Sequence, residues 1–213
     1  MHPAIIRLYT AVAMIAVLVA CIYAPTWYVS IGILLITLTI LATEWPRLVS
    51  TEWLWLLTPL YPVLPFVLAL HLNQEPLYRH LLLVLIACVG ANDTGAYCFG
   101  KLIGKHKLWP AISPGKTWQG LGGGFVAVIG MLCLIDSYTK SSMTWLVIFI
   151  VAAFVVIVAT AGDLFESWLK RRAGVKDSGS LLPGHGGLLD RFDGMMSCMY
   201  LLYPLKDLLL RWF

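Results

Sequence analysis

Residues 144–161 read TWLVIFIVAAFVVIVATA, eighteen positions without one charged side chain. A bilayer core is crossed by about 20 apolar residues in helical form, and lipid offers backbone N–H and C=O groups no partner, so such a run folds as a spanning helix. Comparable runs lie outward from it at 4–23, 27–43, 53–71, 80–99, 119–136 and 193–211. The expected fold is all-α, a polytopic integral membrane protein of about seven transmembrane helices, or six if the third run does not cross. That third run holds Pro59, Pro62 and Pro65, each lacking a backbone donor, so a kinked or re-entrant segment is its alternative form.

Composition agrees. With 60% hydrophobic and 12% charged residues the chain lacks the polar surface of a water-soluble globule. One membrane domain over 1–213 is expected, with N-terminal spans in 1–80 and a charge-bearing half in 81–213 whose loops are 100–118 and 162–192. Lys101, Lys105, Lys107 and Lys116 crowd the first of these loops, which places it on the cytoplasmic side, together with the second loop and the N-terminus. Arg7 before the first apolar run imitates a secretory signal, but no persuasive cleavage site follows and an uncleaved span is expected. Cys21, Cys88, Cys98, Cys133 and Cys198 lack C-x-x-C spacing and read as small apolar residues. Trp45, Trp53, Trp55, Trp109, Trp118, Trp145 and Trp212 fall near span ends and read as interface anchors. No charged extension suggests a nucleic-acid partner.

Just beyond the apolar run 144–161, residues 163–193 read DLFESWLKRRAGVKDSGSLLPGHGGLLDRFD, with five acids and five bases. If the helix continues past the membrane, Asp163, Glu166, Ser167 and Lys170 share one polar face. Asp190 and Asp193 share a face at the start of the last span, where the helix dipole favours carboxylates. Two acidic helix ends flanking a basic loop suit Mg²⁺, a hard cation that prefers oxygen ligands, and a polyphosphate beside it. The bland alternative is a solvated loop whose charges pair with one another. Gly184, Gly186 and Gly187 let backbone amides approach a ligand, although a glycine-rich turn with a lone His185 is weak evidence. Asp93 is an acid inside an apolar run, functional by default, with helix packing through Asn92 or Thr94 as the alternative. Ser113-Pro114-Gly115-Lys116-Thr117 is not a P-loop, because the first required glycine is Pro110. It is a basic hydroxyl-bearing loop entering a helix whose Gly120, Gly122, Gly123 and Gly124 allow close packing.

Ser167, Lys170-Arg171, Lys176-Asp177, Gly179, Leu182-Pro183, His185-Gly186-Gly187, Asp190-Arg191 and Asp193 resemble, at the same spacing and without a gap, the signature of the phosphatidate cytidylyltransferases, or CDP-diacylglycerol synthases. Asn92–Tyr97 and Ser113–Gly120 resemble two further segments of that family, so the similarity covers roughly residues 85–205. The resemblance implies transfer of CMP from CTP to phosphatidate, a Mg²⁺ cofactor with a second cation left open, and membrane lipid as a partner, and it allows for a homodimer. It implies a bacterial inner-membrane location with the site facing the cytoplasm. Asp163 and Asp190 would hold the metal, supported by Asp93 and Asp193. Asp163, Asp190, Lys170, Arg171 and Asp93 would be catalytic. Ser113, Lys116, Thr117, Lys176, His185, Gly186, Gly187 and Arg191 would bind substrate. Two alternatives stand beside it: CTP-dependent transfer to another lipid phosphate, and a small ion-coupled transporter whose buried acids line an ion path.

Overall fold

The computed structural model describes residues 23–182 and 186–212, with residues 16, 20 and 21. The first expected span, 4–23, lies almost wholly outside the described residues. Helix α1 (Thr26–Thr39) passes through a wide turn at Ile40–Glu44 into the short α2 (Trp45–Leu48). A 3₁₀ segment at Glu52–Leu57 leads into α3 (Leu64–Gln74), followed by α4 (Pro76–Ile103), α5 (Trp118–Thr139), α6 (Trp145–Arg172) and α7 (Leu189–Leu209). Between α4 and α5 an antiparallel ribbon pairs β1 (Lys107–Trp109) with β2 (Ser113–Thr117). The protein is thus an all-α polytopic membrane protein with one small ribbon among its described residues.

Five helical stretches are long and apolar enough to cross a membrane: Thr26–Leu48, Glu52–Gln74, Pro76–Ile103, Trp118–Thr139 and Trp145–Arg172. The proline-rich third run is both kinked and end-to-end. Tyr61, at φ −138° and ψ 114°, leaves helical geometry within it. At one end Trp45 Nε1 donates to Thr58 Oγ1 at 2.8 Å, and at the other Asn73 Nδ2 donates to the Thr26 carbonyl at 2.8 Å and to Ser30 Oγ at 3.0 Å. The segment therefore runs antiparallel to α1 along its length.

Helices α4 and α5 approach closely because glycines remove the intervening side chains. A Cβ on Gly123 would overlap the Phe99 ring, and one on Gly124 would overlap Asn92 Oδ1. Gly120 also faces α4, at the Ala96 carbonyl, whereas Gly122 looks into open space. Leu34, Leu35, Leu134, Phe149 and Phe154 are exposed on the helix exteriors, where a bilayer covers them. The core between the helices holds Phe66, Leu132, Met196 and Met199.

One expected interface anchor is corrected. Trp45 is fully buried, its indole N–H is satisfied by Thr58, and its ring packs against Tyr61 with centroids 5.8 Å apart. The wide turn at Ile40–Glu44 that leads into α2 rolls this indole inward, while Trp53, Trp55, Trp109, Trp118 and Trp145 are exposed as expected.

Gly124→Val should lower stability by about 1–3 kcal/mol through overpacking. Gly122→Val should change it little. Thermal unfolding of both variants in detergent checks the pair, and equal melting temperatures would contradict the packing described.

Candidate active site

Helix α6 continues unbroken to Arg172, which delivers Asp163, Glu166, Ser167 and Lys170 to one face beyond the apolar run. Helix α7 starts beside it and supplies Asp193. Ligand oxygens of Asp163, Glu166 and Asp193 all lie within 4.8 Å of one another. Glu166 and Asp193 are buried, and Asp163 is half-buried at the mouth. Ser167 Oγ donates to Asp163 Oδ1 at 3.4 Å.

Two lysines flank the three acids. Lys116 comes across from β2, its ammonium 2.6 Å from Asp163 Oδ2 and 3.3 Å from the Thr160 carbonyl. Lys170 is buried and bridges two carboxylates, donating to Glu166 Oε2 at 3.0 Å and to Asp190 Oδ1 at 2.7 Å. The second oxygen of Asp190 accepts from the Ser178 amide at 3.0 Å and the Gly187 amide at 2.8 Å. Asp190 therefore faces Lys170 and the turn, whereas the tight trio is Asp163, Glu166 and Asp193.

The remaining expected residues spread around this centre. Asp93 on α4 accepts from Asn92 Nδ2 at 3.2 Å. Arg171 donates from Nε to the Ile112 carbonyl at 3.3 Å and from an Nη to the Val175 carbonyl at 3.1 Å, which ties the end of α6 to the ribbon's turn. Thr117 is buried and caps α5, its hydroxyl accepting from the Gly120 amide at 3.0 Å. Ser113 stands at the far end of β2. Lys176 and Arg191 are exposed. Gly186 adopts φ 84°, a left-handed conformation that glycine reaches without penalty. His185 lies outside the described residues.

Three residues missing from the expected set belong to this region. Glu166 was placed on the polar face with Asp163 but given no role, yet one of its oxygens, Oε1, is buried with no hydrogen-bond partner. Tyr61 reaches the same end of the bundle, edge-on to Phe165 with centroids 5.2 Å apart, and its hydroxyl is also buried without a partner. Glu44 is 1% exposed and bonded to Ser178, Leu188 and Leu189. The rule that flagged Asp93, an acid inside an apolar run, extends to Glu44, which directly follows the run 27–43.

This arrangement fits a bound metal ion. Three carboxylates concentrated at one point repel, and the two lysines that touch them, Lys116 on Asp163 and Lys170 on Glu166, do not balance them, because Lys170 is shared with Asp190. A cation beside the unpartnered Glu166 Oε1 would satisfy both the orphaned acceptor and the charge. All the donors are oxygens, which suits a hard divalent ion.

Fold and site together define a polytopic membrane protein with a carboxylate-and-lysine centre at one end of its helices. Residues 51–209 match the model of the cytidylyltransferase family, and the chain belongs to that family. Among curated relatives, a phosphatidate cytidylyltransferase of Staphylococcus aureus (strain COL) is 46% identical over 132 residues, covering 62% of this chain and 49% of the relative. One of Staphylococcus saprophyticus is 43% identical over 131 residues, with the same coverage of both chains. The chain spans about half the length of the curated relatives it matches.

Lys170→Met leaves Glu166 and Asp190 facing each other without their shared counter-charge and should cost about 3–5 kcal/mol. Lys116→Met breaks a pair whose side chains are 21% and 39% exposed and should cost about 1 kcal/mol or less. Melting curves in detergent should rank the two variants in that order.

Proposed function

We propose that the protein is a CTP:phosphatidate cytidylyltransferase, forming CDP-diacylglycerol and diphosphate at the polar end of its helices. The observation that carries this reading is the carboxylate trio of Asp163, Glu166 and Asp193, with an unpartnered buried acceptor on Glu166 and lysines on Asp163 and Glu166. The family membership and the names of the relatives, phosphatidate cytidylyltransferases, support it.

Asp163, Glu166 and Asp193 would hold Mg²⁺, with Asp93 in support from α4. Bound there, the ion would supply charge neutralisation to the triphosphate. Lys116, exposed Lys176 and Arg171 provide positive charge for phosphate oxygens around the trio. A phosphate oxygen of phosphatidate attacks the α-phosphorus of CTP, the bond to the bridging oxygen breaks, and diphosphate leaves with that electron pair. The attacking phosphate is already anionic at neutral pH, so no side chain has to remove a proton, and orientation and charge stabilisation provide the catalysis. Asp190 contributes by holding Lys170 and the turn. The location proposed is the bacterial inner membrane, and the lysine-rich loop supports an orientation with this end facing the cytoplasm, where CTP is available.

The transporter alternative requires acids distributed along a path across the bilayer. The buried acids among the described residues, Glu44, Glu166 and Asp193, all lie at one end of the bundle. The location of these acids favours the transferase.

Label transferred from CTP into lipid by the purified full chain in detergent, supplied with phosphatidate, tests the reaction. Mg²⁺-dependent CDP-diacylglycerol with diphosphate release is the expected result, and a folded protein giving no product with any lipid phosphate would refute the proposal. Asp163→Ala and Asp190→Ala should each abolish turnover while leaving the protein inserted and folded. Added Mg²⁺ should raise the melting temperature of the wild type, and Glu166→Gln should remove most of that rise without needing substrate for the readout.

A further inference from the structure

We infer that Glu44 is a positioning residue of the site, a buried carboxylate from the N-terminal spans that clamps both ends of the 178–188 turn and fixes the start of α7. Glu44 precedes residue 51, where the family match begins. It stands at the last position of the wide turn after α1. Its oxygens accept three hydrogen bonds: Oε1 from the Leu188 amide at 2.7 Å, and Oε2 from the Leu189 amide at 2.8 Å and from Ser178 Oγ at 3.0 Å.

The geometry is that of a helix cap supplied from another part of the chain. The first amides of α7 have no partner within their own helix, and a negative charge at a helix N-terminus is favourable. Leu188 and Leu189, the first residues there, have no side-chain acceptor of their own, and Glu44 takes that role. On the opposite side Asp190 accepts the Ser178 and Gly187 amides. Ser178 is thus held by two carboxylates, through its hydroxyl and through its amide. The fit leaves no room for larger residues: a Cβ on Gly179 would stand 2.8 Å from Glu44 Oε1, and one on Gly187 would stand 2.7 Å from Glu44 Oε2.

The clamp reaches the trio along two short routes. Leu188 and Leu189 lead directly into Asp190 and Asp193, and Asp190 fixes Lys170, which fixes Glu166. An amide at position 44 would present a donor where only donors arrive, so Glu44→Gln removes at least one of the three bonds and leaves the rest without charge assistance. The link from Glu44 to turnover rests on the cytidylyltransfer reading, whereas its link to the turn does not.

The test uses the full chain in detergent as wild type, Glu44→Gln and Glu44→Asp. Amide hydrogen exchange should accelerate by about tenfold or more in the peptide covering 178–190 of Glu44→Gln, with α5 unchanged. The same variant should lower kcat and raise the Mg²⁺ concentration giving half-maximal rate, and Glu44→Asp, which keeps the charge, should recover part of both. Folded Glu44→Gln with wild-type exchange in that peptide, or with unchanged kcat and Mg²⁺ dependence, overturns the assignment. If Glu44→Gln yields no folded protein, Ser178→Ala removes one donor and carries the same readouts: local acceleration supports the clamp, and wild-type exchange overturns it. A wild type that makes no CDP-diacylglycerol refutes the proposed reaction, while the exchange data still decide the clamp.

Discussion

One ammonium group between two carboxylates organises this end of the molecule. Lys170 is buried with Glu166 on its own helix and Asp190 on the next, and its ammonium is the counter-charge that the two acids share. The bridge joins α6 to α7 at the level where the apolar spans give way to polar chain. It leaves one buried oxygen of Glu166 without a hydrogen-bond partner, while the other oxygen of Asp190 is taken by the amides of Ser178 and Gly187. One member of the carboxylate trio and the support of a loop thus meet at the same ammonium group.

The helices themselves serve this arrangement in different ways. Long α6 acts as a rigid post, carrying acids and a lysine on one stripe well past its last membrane residue. The glycine-mediated packing of α4 on α5 brings Asp93 and the ribbon into a fixed relation, and the ribbon carries Lys116 across to Asp163. Polar side chains that would be costly in lipid are gathered where they neutralise one another or await a charged ligand.

Much of this was legible in the residues alone. Apolar run length identified the helices, because lipid imposes a strict requirement on the backbone, and the charges after residue 162 pointed to the candidate site. The face shared by Asp163, Glu166 and Lys170 followed from helical spacing. Pairing across the chain was not legible. Whether Asp190 or Glu166 joins the trio depends on the relative placement of α6 and α7, which sequence spacing does not specify across a turn. Trp45 was misassigned because the turn at Ile40–Glu44 rolls it into the core, a change that a hydropathy profile does not register. Glu44 lies more than a hundred residues from its partners, a separation at which no local pattern operates.

That separation bears on how such proteins can be recombined. The spans before residue 51 fall outside the family match, and they look from hydropathy like interchangeable anchors for the half that follows. Glu44 makes them unequal: its carboxylate completes the cap of a helix that begins 145 residues later. A chimera that joins this C-terminal half to foreign N-terminal helices would need an acid delivered to the same point, so the boundary between anchor and active half is a junction with chemical content.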